Sequence, residues 1–225
     1  MLRNNVNIAP NRITGSILET NRVLRNTYLL LSLTFLFSSF TAYLSWSSNT
    51  APVHPIILIV GMYGLMFLTQ SLRNSVWGLA AIFAFTGFLG YTLGPILSFY
   101  THAFSNGNQL IMMALGSTGI IFFALSGYAL VTRKDFSYLG GFLFVLMMLG
   151  VLLILASFIF QVPGVFLAIS ALFVLISSGM ILFQTSQIIN GGETNYIMAT
   201  ITLYVSLYNL FLSLLQIFGA FNNKE

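Results

Sequence analysis

Residues 138–160 read YLGGFLFVLMMLGVLLILASFIF, twenty-three consecutive positions without a charged side chain. A helix that crosses a hydrocarbon core of roughly 30 Å needs about 20 apolar residues, so this stretch suffices for one span. Its apolar residues run continuously instead of alternating with period two, which argues against a transmembrane β-barrel. Only Gln161, Val162, Pro163 and Gly164 separate it from the next apolar run, Val165 to Phe183. A helix fused across both would far exceed the bilayer, and Pro-Gly is a turn signal, so a tight helical hairpin is expected.

Working outward in both directions, apolar runs bounded by charge, Gly, Pro or Asn predict seven spans. They cover about 28–46, 55–72, 76–99, 110–131, 138–160, 165–183 and 196–218. The expected fold is an all-α polytopic membrane bundle. It divides into a polar N-terminal tail at 1–25, a seven-helix transmembrane domain at 26–220 and a short tail at 221–225.

Composition agrees. Of 225 residues, 57% are hydrophobic and 5% charged, where an average soluble domain carries roughly 25% charged residues. A soluble surface cannot be built from eight basic and four acidic side chains. Disorder is excluded too, because it requires low hydrophobicity with high net charge. The net charge of +4 is scattered over loop ends and forms no patch, so nucleic acid is not an expected partner; the lipid bilayer is. The chain has no cysteine, which removes disulfides, thiol nucleophiles and thiolate metal sites.

The few charges decide orientation, since Lys and Arg are retained on the cytoplasmic side. With the N-terminus inside, Arg3, Arg12, Arg22, Arg25, Arg73, Arg133 and Lys134 are cytoplasmic and only Lys224 is not. The C-terminus is then expected outside. Within the tail, Ser16 and Glu19 match a capping box, so a helix is expected to start near Ser16 and continue into the first span.

Enzyme signatures are missing. There is no G-x-x-x-x-G-K, H-E-x-x-H, G-x-S-x-G or EF-hand loop, and no catalytic residue, cofactor or metal site is expected. His54 and His102 are expected in different loops on the outer side. The spans contain no Asp, Glu, Lys, Arg or His, which counts against a proton-coupled pump.

Polar residues in the spans are patterned. Thr202, Ser206, Asn209, Ser213 and Gln216 fall at spacings of four and three on one face of the seventh helix. The sixth offers Ser170, Ser177 and Gln184, and the first Thr34, Ser38, Thr41 and Ser45. In lipid these faces must turn inward, so three polar faces are expected to meet, as a cavity or as ordinary interhelical glue. Gly87, Gly90 and Gly94 before Pro95, with Gly61 and Gly64 and with Gly116 and Gly119, are expected at close helix contacts.

The stretches VLRNTYLLLSLT (Val23 to Thr34), VGMYGLMFLT (Val60 to Thr69), FAFTGFLGYTLGPIL (Phe83 to Leu97), AISALFVLISSGMILFQTSQIINGGETNYI (Ala168 to Ile197) and LYVSLYNLF (Leu203 to Phe211) resemble the bacterial inner-membrane branch of the Bax inhibitor family. The resemblance runs from about Val23 to Gly219. It implies a seven-helix fold with a cytoplasmic N-terminus in the bacterial inner membrane. It further implies association with FtsH, a membrane-anchored ATP-dependent protease, and its regulatory membrane partners, with restraint of proteolysis and slow degradation of the chain itself from its N-terminal tail. Wider relatives leak calcium in a pH-dependent way through two aspartates that hydrogen-bond across the last two helices. By motif those sensor positions fall on Gln184 and Ser206, neither of which ionises, so the resemblance carries the calcium-leak reading only weakly.

Overall fold

The computed structural model describes residues 11–159 and 164–222, with side chains from Thr20 onward except Phe158. Seven helices follow in order: α1 Asn11–Ser47, α2 Pro55–Leu72, α3 Trp77–Ala103, α4 Gly107–Thr132, α5 Leu139–Ile159, α6 Val165–Ile189 and α7 Tyr196–Asn222. No strand occurs among the described residues. All seven are long and apolar enough to cross a membrane, α1 from Thr20.

Helix boundaries follow local chemistry. Pro55 occupies the first turn of α2, where its missing N–H costs nothing, and the His54 ring accepts the Ile56 amide at 3.4 Å. Helix α4 ends on Arg133 at φ 50°, and α6 begins after Gly164 at φ 87°, a left-handed conformation that glycine adopts without penalty. The rest of the expected α5–α6 turn, Gln161 to Pro163, lies outside the described residues. At the other end of the chain, α1 is already helical from Asn11, so Ser16 lies within the helix and cannot be its N-cap; the Ser16 and Glu19 side chains are outside the described set.

Helices α7 and α3 are central, with 56% and 50% of their span residues buried, whereas α2 and α5 bury 6% and 11%. Among the described residues, helix α7 packs on α1, α2, α3, α4 and α6, and α5 packs on α6 alone. The core is accordingly built around Leu203, Tyr204, Leu207, Leu210 and Leu215 of α7 with Ile82, Phe85 and Leu89 of α3.

The tightest crossing, α1 on α3, depends on glycine. A Cβ on Gly90 would fall 2.3 Å from the Ser38 carbonyl oxygen, one on Gly94 2.3 Å from Ser45 Oγ, and one on Gly87 2.6 Å from the Phe37 ring. Gly61 meets Phe88 in the same way. Pro95 follows inside α3, where it cannot donate to the carbonyl four residues back. Gly64, Gly116 and Gly119 depart from expectation: a Cβ there would meet nothing within 4 Å, because α2 and that stretch of α4 turn these positions away from the other helices.

Candidate functional site

Among the described residues the basic side chains gather at one end of the bundle. Arg22 lines a hollow there with Asn26, Glu193 and Tyr196, and Arg133 lines a second with Thr20 and Asn190. Arg25 lies one turn further along α1 from Arg22. The loops of this end are tied together by side chains. Asn195 Nδ2 donates to the Arg73 carbonyl and to Asn74 Oδ1, both at 3.0 Å, while its Oδ1 accepts the Ile197 and Met198 amides and caps α7. Across the α4–α5 connection, Ser186 Oγ donates to the Lys134 carbonyl and accepts the Phe136 amide at 2.9 Å. Gln187 Nε2 donates to Ser137 Oγ at 3.0 Å. In the same loop, Ser137 donates to Asp135 through both its hydroxyl and its amide, and these bonds hold the carboxyl below its ordinary pKa.

Within the membrane region most hydroxyls turn back on their own helix. Ser206 Oγ donates to the Thr202 carbonyl at 2.8 Å, and Thr202 Oγ1 to Met198 at 3.0 Å. Gln184 is buried, and its Nε2 has no hydrogen-bond partner. No bond joins Gln184 to Ser206, although both lie on the packed α6 and α7 pair. The two positions that the resemblance assigns to a sensor pair are therefore not hydrogen-bonded to each other.

One expected meeting of α6 and α7 does occur: Ser170 Oγ donates to Gln216 Oε1 at 2.7 Å. Ser177 and Ser213 are buried, and Asn209 is half-buried. The polar face of α1 goes elsewhere than expected. Ser38, Thr41 and Ser45 lie over Gly90 and Gly94 of α3, and of the α1 hydroxyls named only that of Ser38 hydrogen-bonds α7, at 2.6 Å from the Tyr204 hydroxyl. Tyr204 also donates to the Thr86 carbonyl at 3.2 Å, and Tyr208 one turn on bonds Thr92 at 3.0 Å. These two tyrosines are the residues that the sequence reading passed over. Their signal was spacing: two phenols four residues apart in mid-span share a face, and each buried hydroxyl requires a partner.

Among the described residues, acidic and basic side chains thus stand in loops, at a helix end and on α1 before its apolar run, while hydroxyl bonds and glycine contacts hold the apolar region. Among the described residues no group of three His, Asp or Glu side chains is placed to hold a metal ion. A bundle of this kind is a multi-pass membrane protein of the all-helical class. The family model described as "Inhibitor of apoptosis-promoting Bax1" matches residues 20–223, and the chain belongs to that family. It is 57% identical over 205 residues to an uncharacterised protein of Pseudomonas aeruginosa, covering 89% of this chain and 90% of the relative. It is 54% identical over 204 residues, 91% of this chain and 92% of the relative, to the Escherichia coli K12 protein named "Modulator of FtsH protease YccA". The Escherichia coli O6:H1 protein named "Inner membrane protein YccA" matches to the same extent.

Proposed function

We propose that this protein is a non-enzymatic regulator in the bacterial inner membrane that binds the FtsH protease and restrains its action on other membrane substrates. The observation that carries the reading is the 54% identity, over 91% of the chain, to a protein named as a modulator of that protease. The basic end faces the cytoplasm in this reading, because Arg22, Arg25, Arg73, Arg133 and Lys134 are retained there. Its loops, cross-tied by Asn195, Ser186 and Gln187, form the contact surface. Residues 1–25 supply the segment through which the protease slowly degrades the chain.

Copurification from native membranes, combined with turnover of a second membrane substrate, tests this. FtsH is expected in the purified complex, and substrate turnover is expected to rise when residues 1–25 are removed. Normal restraint without the tail refutes the tail's part, and absence of FtsH refutes the whole reading. The calcium-leak reading draws no support from Gln184 and Ser206, which neither ionise nor hydrogen-bond to each other. Calcium flux equal to that of empty liposomes is expected at every pH.

A further inference from the structure

A cavity of about 320 Å³ lies inside the transmembrane region, away from the α6–α7 polar face. Its walls come from α1 (Phe35, Tyr43, Trp46) and α4 (Ile111, Leu115), with Leu93 of α3 and Tyr208 of α7 completing the lining. The backbones of α1 and α4 do not pack on each other, so a slot runs between these two walls. The rings of Tyr28 and Phe122, with centroids 5.9 Å apart, cross the gap toward the basic end. At the other end stand Tyr43 and Trp46, where α1 leaves the bilayer and where amphipathic rings favour the headgroup level.

The buried polar groups of the lining are already engaged. The Tyr204 hydroxyl is engaged by Ser38 and Thr86, that of Tyr208 by Thr92, and that of Thr118 by the Ala114 carbonyl. The Ser39 and Tyr43 hydroxyls belong to exposed residues of the lining, and the interior, walled by rings and aliphatic groups with its buried hydroxyls bonded, takes an apolar occupant. Along a slot facing the bilayer, the apolar species present throughout is the lipid chain. The volume holds on the order of ten methylene groups, if each takes about the 30 Å³ share of a water molecule.

We propose that this slot is a binding site for one acyl chain of a bilayer phospholipid, with the headgroup at the level of Trp46 and the chain descending between α1 and α4 toward Tyr204. The lipid comes from the leaflet opposite the basic end. The site is independent of the protease-binding reading, since its residues lie at the other end of the molecule from the cross-tied loops.

The test uses the full chain in phosphatidylethanolamine and phosphatidylglycerol vesicles doped with a phospholipid carrying a diazirine along its acyl chain. After irradiation, labelled peptides are mapped by mass spectrometry. Label is expected to concentrate on 35–46 and 111–118 above that on α5, where Phe144 and Leu152 are exposed to lipid at 61% and 60%. Ser39→Trp, which fills the slot from α1, is expected to lower that label about tenfold, equivalent to about 1.4 kcal/mol of binding. Leu115→Trp does the same from α4, so one variant remains readable if the other fails to fold, and Leu152→Trp leaves the label unchanged. Label no higher than on α5, or unaltered by both filling substitutions, overturns the proposal. Label seen with the purified chain but lost in native membranes assigns the slot to a helix of another protein and overturns it equally.

Discussion

Replacing Gly90 by alanine tests whether close backbone approach holds α1 against α3. The added Cβ would lie 2.3 Å from both the Ser38 carbonyl oxygen and Thr41 Oγ1, and 2.6 Å from Ser38 Oγ. Ordinary contact begins at 3.4 Å, so the helices must part by about 1 Å. The Thr41 hydroxyl can rotate away, but the Ser38 carbonyl is backbone and moves only with α1. Separation also stretches the Ser38 to Tyr204 hydrogen bond, which starts at 2.6 Å. Overpacking of this kind costs about 1–3 kcal/mol, and a backbone obstacle favours the upper half of that range. For a chain of this size roughly 2–4 °C accompanies each kcal/mol, so the unfolding midpoint should fall by about 4–12 °C. The assay is thermal unfolding in detergent micelles, read by tryptophan fluorescence and helical circular dichroism. Gly64→Ala is the control, because a Cβ there meets nothing and the change should stay within about 1 kcal/mol of neutral. Equal midpoints for the two variants would refute the reasoning.

Tyr204→Phe removes a buried hydroxyl that bonds both Ser38 and Thr86 and should cost about 1–2 kcal/mol, measured as a lower unfolding midpoint; an unchanged midpoint would show these bonds to be energetically silent. Asn195→Ala uncaps α7 and frees the α2–α3 loop; a loss of about 1–2 kcal/mol with faster hydrogen exchange at 73–76 and 196–199 is expected, and unchanged exchange speaks against the clamp. Asp135 is the only aspartate in the chain, so selective ¹³C labelling yields a single carboxyl resonance. Its folded pKa is depressed by the Ser137 hydroxyl first and the Ser137 amide second, so the loop contact is present above the ordinary aspartate range and is lost as pH falls through the depressed value. Ser137→Ala should move the titration up toward ordinary while leaving the amide bond, and an unmoved midpoint contradicts this assignment.

The seven spans were legible because uninterrupted apolar length is a direct requirement of the bilayer. Their ends were less so. Helix α6 continues to Ile189 past the expected Phe183, and α3 to Ala103 past Phe99, since polar residues near the interface keep helical hydrogen bonds once hydropathy has fallen. Which helix occupies the centre was not legible at all. To hydropathy, a leucine against lipid and a leucine against another helix are the same residue, so the burial of α7 and the exposure of α5 emerge only from packing. The glycines show the same limit. Gly90 and Gly64 have similar sequence surroundings, yet one meets a carbonyl and the other open space.

The polar stripe of α7 shows what periodicity can and cannot deliver. The shared face of Thr202, Ser206 and Ser213 follows from spacing, but the destination of each hydroxyl is a choice between a neighbouring helix and its own carbonyls four residues back. Ser206 takes the second option, and Ser170 shares its one hydroxyl proton between its own Phe166 carbonyl and Gln216 Oε1. Serine can turn inward in this way because its hydroxyl reaches its own backbone, whereas the longer Gln184 amide does not; its buried Nε2 stays unpaired. A carboxylate at the same place would have to find a proton, a partner or an ion, and its energy would change with pH. An amide cannot discharge that cost by titration, and the position carries the same polar load under all conditions. With an amide at 184 and a hydroxyl at 206, neither of which titrates, this part of the α6–α7 contact carries no charge that changes with pH.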